Sequence, residues 1–287
     1  MRATLKMSLK FVLKDIEPER HPEFIKLVQT VRHDLRVPEK ELNAGSLHRF
    51  YHSNFFDFGK TLAHLKSHLK WRKSYLFPEA INLDKNSYDV IAQHAAIGLY
   101  GNTRAGNPIG YIKGKTDYPF QALHILKEEK IIAYQVQLFE RLVNIIFPMC
   151  SQKYQRNINR IVCVIDLQNR SYLGALADFA LFRFALSNME MYRTNYPELN
   201  LQSIVINMNP LFVGVWNVIA RYMMPRTVGK FSFYSDDYLP ALLELTDINN
   251  IPKEYGGQCP YEIEAYPNFW NEELAKSVVE KRLTRND

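Results

Sequence analysis

Cysteine is scarce in this sequence, and its few copies follow no metal-binding or disulfide pattern. The 287 residues include three cysteines, Cys150, Cys163 and Cys259. Their number is odd, and no two of them have CxxC spacing. They lie in or near apolar stretches, which favours a reducing compartment over secretion. We therefore expect neither a disulfide framework nor a structural zinc site.

Long apolar runs and clustered charge are also missing. No run approaches the roughly 20 apolar residues that cross a bilayer, so we expect any membrane contact to be peripheral. The composition, 47% hydrophobic and 23% charged, is typical of a folded globular protein. A net charge of +6 suits an anionic partner. The basic residues are scattered, however, and no nucleic-acid motif is present, so we predict no binding to nucleic acid.

The motifs of the common enzyme classes are absent as well. The sequence has no GxGxxG after a strand, no GxxxxGK[ST], no GxSxG and no HExxH. His48 with His52, and His64 with His68, have i,i+4 spacing, but neither pair has an obvious third ligand. We interpret these histidines as packing or surface residues. The prediction is a protein that is not an enzyme and needs no cofactor or metal ion, although a bound lipid is compatible with it.

The N-terminal segment allows two interpretations of where the protein acts. Residues 1–14 contain four basic residues at helical spacing and no acidic residue before Asp15. Such a segment has the chemistry of a mitochondrial targeting peptide. It is equally compatible with the solvated basic start of a cytoplasmic protein. Both locations, mitochondrial and cytoplasmic, therefore stay open, each with peripheral membrane contact.

Hydrophobic periodicity divides the chain into a helical first third and an α/β remainder. Apolar residues recur at a period near 3.6 between Pro18 and Pro38, and Asp57 is placed to cap a helix that ends near Trp71. The predicted strands are 109–112, 161–165, 203–208 and 231–234. The predicted helices between and around them are 131–147, 171–193 and 211–224.

Strands 161–165 and 203–208 lack polar alternation, which is typical of strands buried on both faces of a parallel sheet. The sequence thus predicts an α/β fold with a mostly parallel sheet flanked by helices. We draw the helical module at residues 1–85, the α/β domain at 86–262 and a tail at 263–287.

Several motifs in the last third occur in a family-specific order. They are Asn195-Tyr196-Pro197-Glu198, Pro225-Arg226-Thr227-Val228-Gly229-Lys230, and Ile251-Pro252-Lys253-Glu254-Tyr255-Gly256-Gly257. Upstream, Leu47-His48-Arg49-Phe50 is followed by Trp71-Arg72-Lys73. Together these residues resemble the CRAL-TRIO lipid-binding family, which includes phosphatidylinositol/phosphatidylcholine exchangers. The resemblance implies a CRAL-TRIO fold with an N-terminal helical module, and it extends from about Ser46 to Pro260.

The resemblance also implies a gated pocket for a lipid. In the family, a mobile helix closes the pocket, and here it corresponds to the very apolar segment 211–224. On this helix the implied gate and pocket residues are Leu211, Phe212, Val215, Trp216, Ile219 and Met223. On the central strand they are Ile161 and Cys163, where the phosphatidylcholine binders of the family carry polar residues.

A headgroup site is implied by three further positions. Thr227 and Lys230 match the family's phosphate-contacting residues, and Glu198 matches the carboxylate that pairs with this lysine. The sequence departs from the phosphoinositide binders at Asn54-Phe55, where those proteins carry an Arg-Lys pair. Part of the phosphate site is therefore missing.

Two functions follow from this comparison. The first is non-enzymatic binding or transfer of a phospholipid or another hydrophobic small molecule, with a lipid ligand and a membrane surface as partners. The second is an accessory structural subunit of a mitochondrial membrane complex that uses the fold as an interaction module. The intact gate segment favours the first, and the missing headgroup residues favour the second.

Overall fold

A computed structural model describes residues 2–39, 41–75, 84–114, 120–168, 179–210 and 212–259. These residues fall into two compact units. The helical unit draws on Met1–Ile81, Gln137–Arg160 and Met191–Leu199, and the sheet unit draws on Asn82–Val136, Ile161–Glu190 and Asn200–Asp287. The helical unit is thus not one continuous stretch of chain. The domain boundaries at residues 85 and 262 stay a prediction, and the tail 263–287 lies outside the described residues.

Twelve α-helices are numbered here in chain order. They are α1 (Arg2–Leu13), α2 (His21–Gln29), α3 (Ala44–Ser53), α4 (Phe58–Tyr75), α5 (Lys85–His94), α6 (Phe120–Ile125), α7 (Glu128–Arg141), α8 (Phe147–Tyr154), α9 (Phe179–Asn195), α10 (Phe212–Ala220), α11 (Pro225–Val228) and α12 (Leu239–Leu245). Short π-helical turns, Thr30–Asp34 and Leu142–Ile146, extend α2 and connect α7 to α8. Among the described residues, no helix combines the length and the apolar character needed to span a bilayer.

The helical unit buries the apolar stripe that the sequence predicts. Phe24, Leu27 and Val28 of α2 and Val31 of the following turn are almost fully buried, and they share a core with Leu65 of α4. The start of α4 is fixed as predicted, because the Asp57 carboxylate accepts a hydrogen bond from the Lys60 N–H at 2.8 Å.

The sheet unit contains a five-stranded sheet in the order β1-β2-β3-β4-β5. The strands are β1 (Ala95–Asn102), β2 (Pro108–Gly114), β3 (Ile161–Asp166), β4 (Asn200–Ile206) and β5 (Phe231–Phe233). Strands β2 to β5 pair in parallel, and β1 pairs with β2 antiparallel. This confirms the predicted α/β fold with a mostly parallel sheet flanked by helices.

Two predicted helices have different bounds in the structure. The helix predicted at 131–147 begins earlier, at Glu128, and its π-helical turn leads into α8, where Pro148 occupies the first turn. The helix predicted at 171–193 ends at Asn195, and its residues 171–178 lie outside the described residues.

A network of polar side chains ties together the three chain segments of the helical unit. The two terminal guanidinium nitrogens of Arg72 donate to the Glu140 carboxylate, at 2.8 and 3.1 Å. The Tyr196 hydroxyl donates to the same carboxylate at 2.7 Å. Nearby, the His68 ring hydrogen-bonds to the Asn195 side-chain oxygen at 3.1 Å. Because a buried charge is stable only when it is paired, this network fixes the segments relative to one another.

Two of the histidines in the i,i+4 pairs are buried in their neutral form. His48 accepts hydrogen bonds from Asn157 and Asn159, at 3.2 and 3.0 Å, and His68 bonds to Asn195. Burial is the main cause that lowers the pKa of both rings to about 3, and for His48 the Arg160 charge contributes to this shift. Within the described ranges, no group of three or more histidine, cysteine, aspartate or glutamate residues is placed to hold a metal ion.

These histidines make the stability depend on pH. The unfolded chain takes up a proton at each ring below its ordinary pKa of 6.5, whereas the folded chain does so only near 3. The unfolded state therefore binds more protons between these values, and folding becomes less stable as the pH falls. From about pH 7 to about pH 5, we expect a loss of about 2 kcal/mol per histidine in the free energy of unfolding.

Urea unfolding at several pH values measures this loss. In His68→Gln the dependence on pH should fall by about one proton. A wild-type protein with the same stability at both ends of this range would contradict the assignment.

Candidate functional site

The two faces of strand β3 differ in how they are covered. Val162, Val164 and Asp166 point to one face and are almost fully buried, whereas Cys163 and Ile165 on the other face are half-buried. Strand β3 is the middle strand of five, so these two side chains cannot owe their accessible surface to a sheet edge. Burial nevertheless raises the pKa of the Cys163 thiol to about 12. Cys163 and Ile165 thus keep accessible surface away from the edges of the sheet.

The strand register shows which neighbours share this face. Cys163 pairs with Ser203, and Ser203 pairs with Phe231. Ile165 pairs with Val205, and Val205 pairs with Phe233. We call these six residues the open face; Ser203 and Val205 are almost fully buried, and the other four are half-buried. It is apolar, with Ser203 as its one hydroxyl. Ile161, predicted to line the pocket, belongs to the same side of β3 but is almost fully buried.

Helix α10 packs on the β5 end of the open face. The Trp216 ring lies 4.7 Å from the Phe231 ring and 4.8 Å from the Phe233 ring, and the Phe212 ring lies 6.1 Å from that of Phe233. Ile219, one turn later, is half-buried. The predicted gate residues Phe212 and Trp216 thus lie against the face that carries Cys163. Leu211 and the side chain of Val215 lie outside the described residues.

Exposed apolar side chains lie on α10 and in the segment that follows it. Val213 and Val218 of α10 are 46% and 39% exposed, and Tyr222 and Met224, beyond its end, are 58% and 40% exposed. Hydropathy measures how apolar a helix is, but it does not say whether protein covers each side. We call these four exposed side chains the outer patch.

The helix predicted at 211–224 is shorter in the structure. It ends at Ala220, and the N–H groups of Tyr222 and Met223 bond to carbonyls three residues earlier, at 3.0 and 3.1 Å. Such bonds tighten the backbone into a turn, and Pro225 then starts α11. Met223, predicted as a gate residue, therefore lies in the turn after the helix, where it is half-buried.

Two predicted headgroup residues lie next to each other beyond this turn. The Lys230 N–H bonds to the Thr227 carbonyl at 3.1 Å, and both side chains are half-buried. The Lys230 ammonium donates to the backbone carbonyl of Asn200 at 3.0 Å. The Lys230 carbonyl accepts from Ser203 of the open face at 2.8 Å, so this loop is fixed to the sheet.

The third headgroup residue, Glu198, belongs to the helical unit. Its side chain is 6% exposed, and its carboxylate lies 4.0 Å from the His52 ring nitrogen. Its backbone is left-handed, with φ of 55°. The pairing of Glu198 with Lys230 would join residues of different units and stays a prediction.

The other face of the sheet, which carries Val162, Val164 and Asp166, is called the closed face. Its buried carboxylate, Asp166, was not among the predicted site residues. Asp166, at the end of β3, accepts hydrogen bonds from the Tyr255 hydroxyl at 2.9 Å and from the Asn207 amide at 2.7 Å. Burial and the Asp166 charge raise the pKa of Tyr255 far above its usual range. A Cβ atom at Gly257 would lie 1.9 Å from the Ile251 carbonyl oxygen, so only glycine fits there. The motif from Ile251 to Gly257 thus closes the fold.

Comparison with known sequences agrees with this geometry. The sequence model of the CRAL/TRIO domain matches residues 92–257, more than half of the chain. The chain belongs to the CRAL/TRIO domain family. Its match includes the open face, α10, Thr227 and Lys230.

Individual relatives carry names of lipid transfer proteins. The phosphatidylinositol/phosphatidylcholine transfer proteins SFH9 and SFH12 of Arabidopsis thaliana are 28% and 26% identical to this CRAL/TRIO protein over 86% and 85% of its chain. The matches cover 43% and 46% of those relatives, so the chain spans less than half their length. The Sec14 cytosolic factor of Schizosaccharomyces pombe is 26% identical, with 77% of this chain and 76% of that protein covered.

A solved structure shows the same fold. The crystal structure of Sfh5 superimposes with a TM-score of 0.65 at 15% sequence identity, over 92% of this chain and 97% of that chain. This superposition covers more of the chain than residues 92–257, so the agreement in fold extends beyond the CRAL/TRIO domain.

Asp166 offers a direct test of what holds the closed face. Replacing it with alanine leaves the Tyr255 hydroxyl and the Asn207 amide without their acceptor in a buried place. We expect Asp166→Ala to lower the free energy of unfolding by about 1–3 kcal/mol in urea. Asp236→Ala removes the same charge from an exposed loop, and its effect should stay within about 0.5 kcal/mol. Equal effects of the two substitutions would show that the cluster contributes nothing to stability.

Proposed function

We propose that this protein binds a phospholipid or another hydrophobic small molecule on its open face and transfers it between membranes without catalysing a reaction. The observation that carries this proposal is the accessible apolar surface at Cys163 and Ile165 on the middle strand of the sheet. An apolar recess in that position suits an acyl chain. The names of the relatives support the same ligand class.

Burial of acyl chains supplies the affinity in this proposal. Each buried CH₂ group contributes about 0.8 kcal/mol, so even part of one chain gives strong binding. Ser203 is the single hydroxyl among the six residues of the open face, and an apolar chain leaves few polar groups unsatisfied there. No bond is made or broken in this process.

Helix α10 is the gate in this proposal. Its inner side holds to β5 through Phe212 and Trp216, and its outer patch faces solvent. An exposed apolar patch next to Arg221 and Arg226 suits the interface of an anionic membrane. Insertion of the outer patch would draw α10 away from β5 and open the recess to lipid.

Thr227 and Lys230 are the proposed headgroup contacts. A hydroxyl and an ammonium are the donors that a phosphate needs. In the closed structure the Lys230 ammonium is bonded to a neutral backbone carbonyl, so a phosphate oxygen offers it a stronger acceptor. Asn54-Phe55 lacks the Arg-Lys pair of phosphoinositide binders, so we propose a preference for anionic phospholipids without a specific inositol site. The comparisons give no support to the alternative of a mitochondrial accessory subunit.

Filling the recess tests the location of the ligand. Cys163→Phe adds an aromatic ring where the lipid chain is proposed to lie, and Cys163→Ala leaves the space open. After incubation with phospholipid vesicles, native mass spectrometry should show stoichiometric lipid on the wild type and the alanine variant. We expect Cys163→Phe to reduce the loaded fraction by about tenfold or more while remaining folded. Equal loading of the phenylalanine variant, or a wild type that takes up no lipid, would refute the proposal.

The headgroup assignment has its own test. Lys230→Ala removes a charge-assisted hydrogen bond to phosphate, so we expect uptake of phosphatidylinositol to weaken by about tenfold or more. Uptake of an uncharged lipid such as a sterol should change little. Lys253→Ala, an exposed substitution in the same unit, is the control for lost charge. An equal loss for charged and uncharged lipids would remove Lys230 from the headgroup site.

A further inference from the structure

A recess in the helical unit is lined by none of the residues of the proposed lipid site. It has a volume of about 720 Å³ and lies between one side of α4 and the segment 35–41. Helix α4 contributes Lys66, Leu69, Lys70 and Lys73, whose spacing of three and four residues puts them on one side of the helix. We call this recess the basic groove.

Positive charge dominates the lining of the basic groove. Five of its side chains are basic, including Arg36 and Arg72, and Glu41 is its one acidic residue among those described. Arg72 is paired with Glu140. No ion pair between described residues involves Arg36, Lys66 or Lys73.

Concentrating these lysines has a cost that packing does not explain. Helix α4 carries five basic residues and no acidic residue. Like charges at i,i+4, such as Lys66 and Lys70, destabilise a helix. Lys66, Lys70 and Lys73 are also exposed, so they do not serve the hydrophobic core. A helix face that contacts only solvent does not need to line a recess. A binding site for an anion needs both a recess and a cluster of basic side chains.

The wall opposite α4 is held in a fixed position. Arg32 donates to the backbone carbonyls of Val37 and Leu42, at 3.1 and 2.5 Å. The Val37 N–H bonds to the Val31 carbonyl at 3.1 Å, which closes the turn around Arg36. Arg36 has a left-handed backbone with φ of 54°, a conformation at a helix end that glycine adopts more easily.

The spacing of the cations limits what can bind between them. A helix rises by about 1.5 Å per residue, so Lys66 and Lys73 lie about 10 Å apart along the axis. One phosphate group is too small to contact all three lysines and Arg36 across that length. The volume of the groove lies in the range of small-molecule sites. Leu35, Val37 and Leu69 give it apolar sides, which strengthen charge–charge contacts by excluding water.

We propose that the basic groove binds a ligand with two or more phosphate groups. Such a ligand is either a soluble polyphosphate or the headgroup of a lipid that carries several phosphates, and the chemistry of recognition is the same for both. Lysine and arginine side chains from two walls bind its oxygens by charge-assisted hydrogen bonds. The proposal does not rest on the lipid site, since all groove residues belong to the helical unit.

Calorimetry with the full chain tests the groove directly. Inorganic tripolyphosphate is the soluble probe, and vesicles of phosphatidylcholine with phosphatidylinositol bisphosphate are the membrane probe. The variant is Lys66→Gln/Lys70→Gln/Lys73→Gln. Its control, Lys60→Gln/Lys85→Gln/Lys127→Gln, has the same net charge and changes exposed lysines outside the groove. We expect the groove variant to bind at least about tenfold more weakly, and the control within about twofold of the wild type.

Arg36→Gly separates binding from folding. Glycine suits the left-handed backbone, so the melting temperature should hold or rise, while affinity for tripolyphosphate should fall several-fold. The proposal is supported if the wild type binds at least one probe and only the groove variants lose that binding. The probe that binds shows whether the phosphates come from a soluble polyphosphate or from a lipid headgroup. Equal losses in the groove variant and its control, or no binding of either probe by the wild type, would overturn it. Lipid loading on the open face should be unchanged in all these variants.

Discussion

The unequal covering of strand β3 is the constraint on which the proposed function depends. An apolar strand in the middle of a parallel sheet is normally covered on both faces. Here one face is closed by an apolar core and by hydrogen bonds to Asp166, while Cys163 and Ile165 on the other keep accessible surface. The open face is partly packed as well, because Val205 is almost fully buried and Ile165 and Phe212 pack against it. In the proposed function, a ligand covers the surface that Cys163 and Ile165 keep.

The family motifs divide into residues that hold the fold and residues that we propose for ligand binding. Tyr196 and Asn195 bond to side chains inside the helical unit, and Tyr255 anchors the closed face. The backbones of Thr227 and Lys230 bond to each other and to Ser203 of β4, and the Lys230 ammonium bonds to the Asn200 carbonyl, so the proposed phosphate contact would replace that bond. A motif seen in sequence does not distinguish these two uses, because both require particular side chains at particular positions.

Hydrophobic periodicity predicts most of the fold because burial requires it. It locates α2, α4 and the parallel strands, whose apolar residues repeat with the period of their backbone. It misses β1, where Ala95, Ala96 and Gly98 replace the branched residues that mark strands. It also does not locate the exposed side of α10, since an apolar sequence does not reveal which side lacks a neighbour. The basic groove was hidden for a similar reason, because its cations come from two segments and look scattered along the chain.

In the proposed function, α10 serves as both a lid and a membrane contact, and its contacts indicate what each role would require. In water, its ring pairs with Phe231 and Phe233 hold it against β5, and each such pair contributes about 0.5–1.5 kcal/mol beyond simple burial. Loss of the three pairs would therefore cost about 1.5–4.5 kcal/mol, in addition to the burial of the Phe212 and Trp216 rings. Burial of a large apolar side chain gains about 1.5–3 kcal/mol, and the outer patch has four side chains, among them Val213 and Tyr222. A membrane can thus reverse a balance that favours the closed state in water, without any change in the sheet beneath.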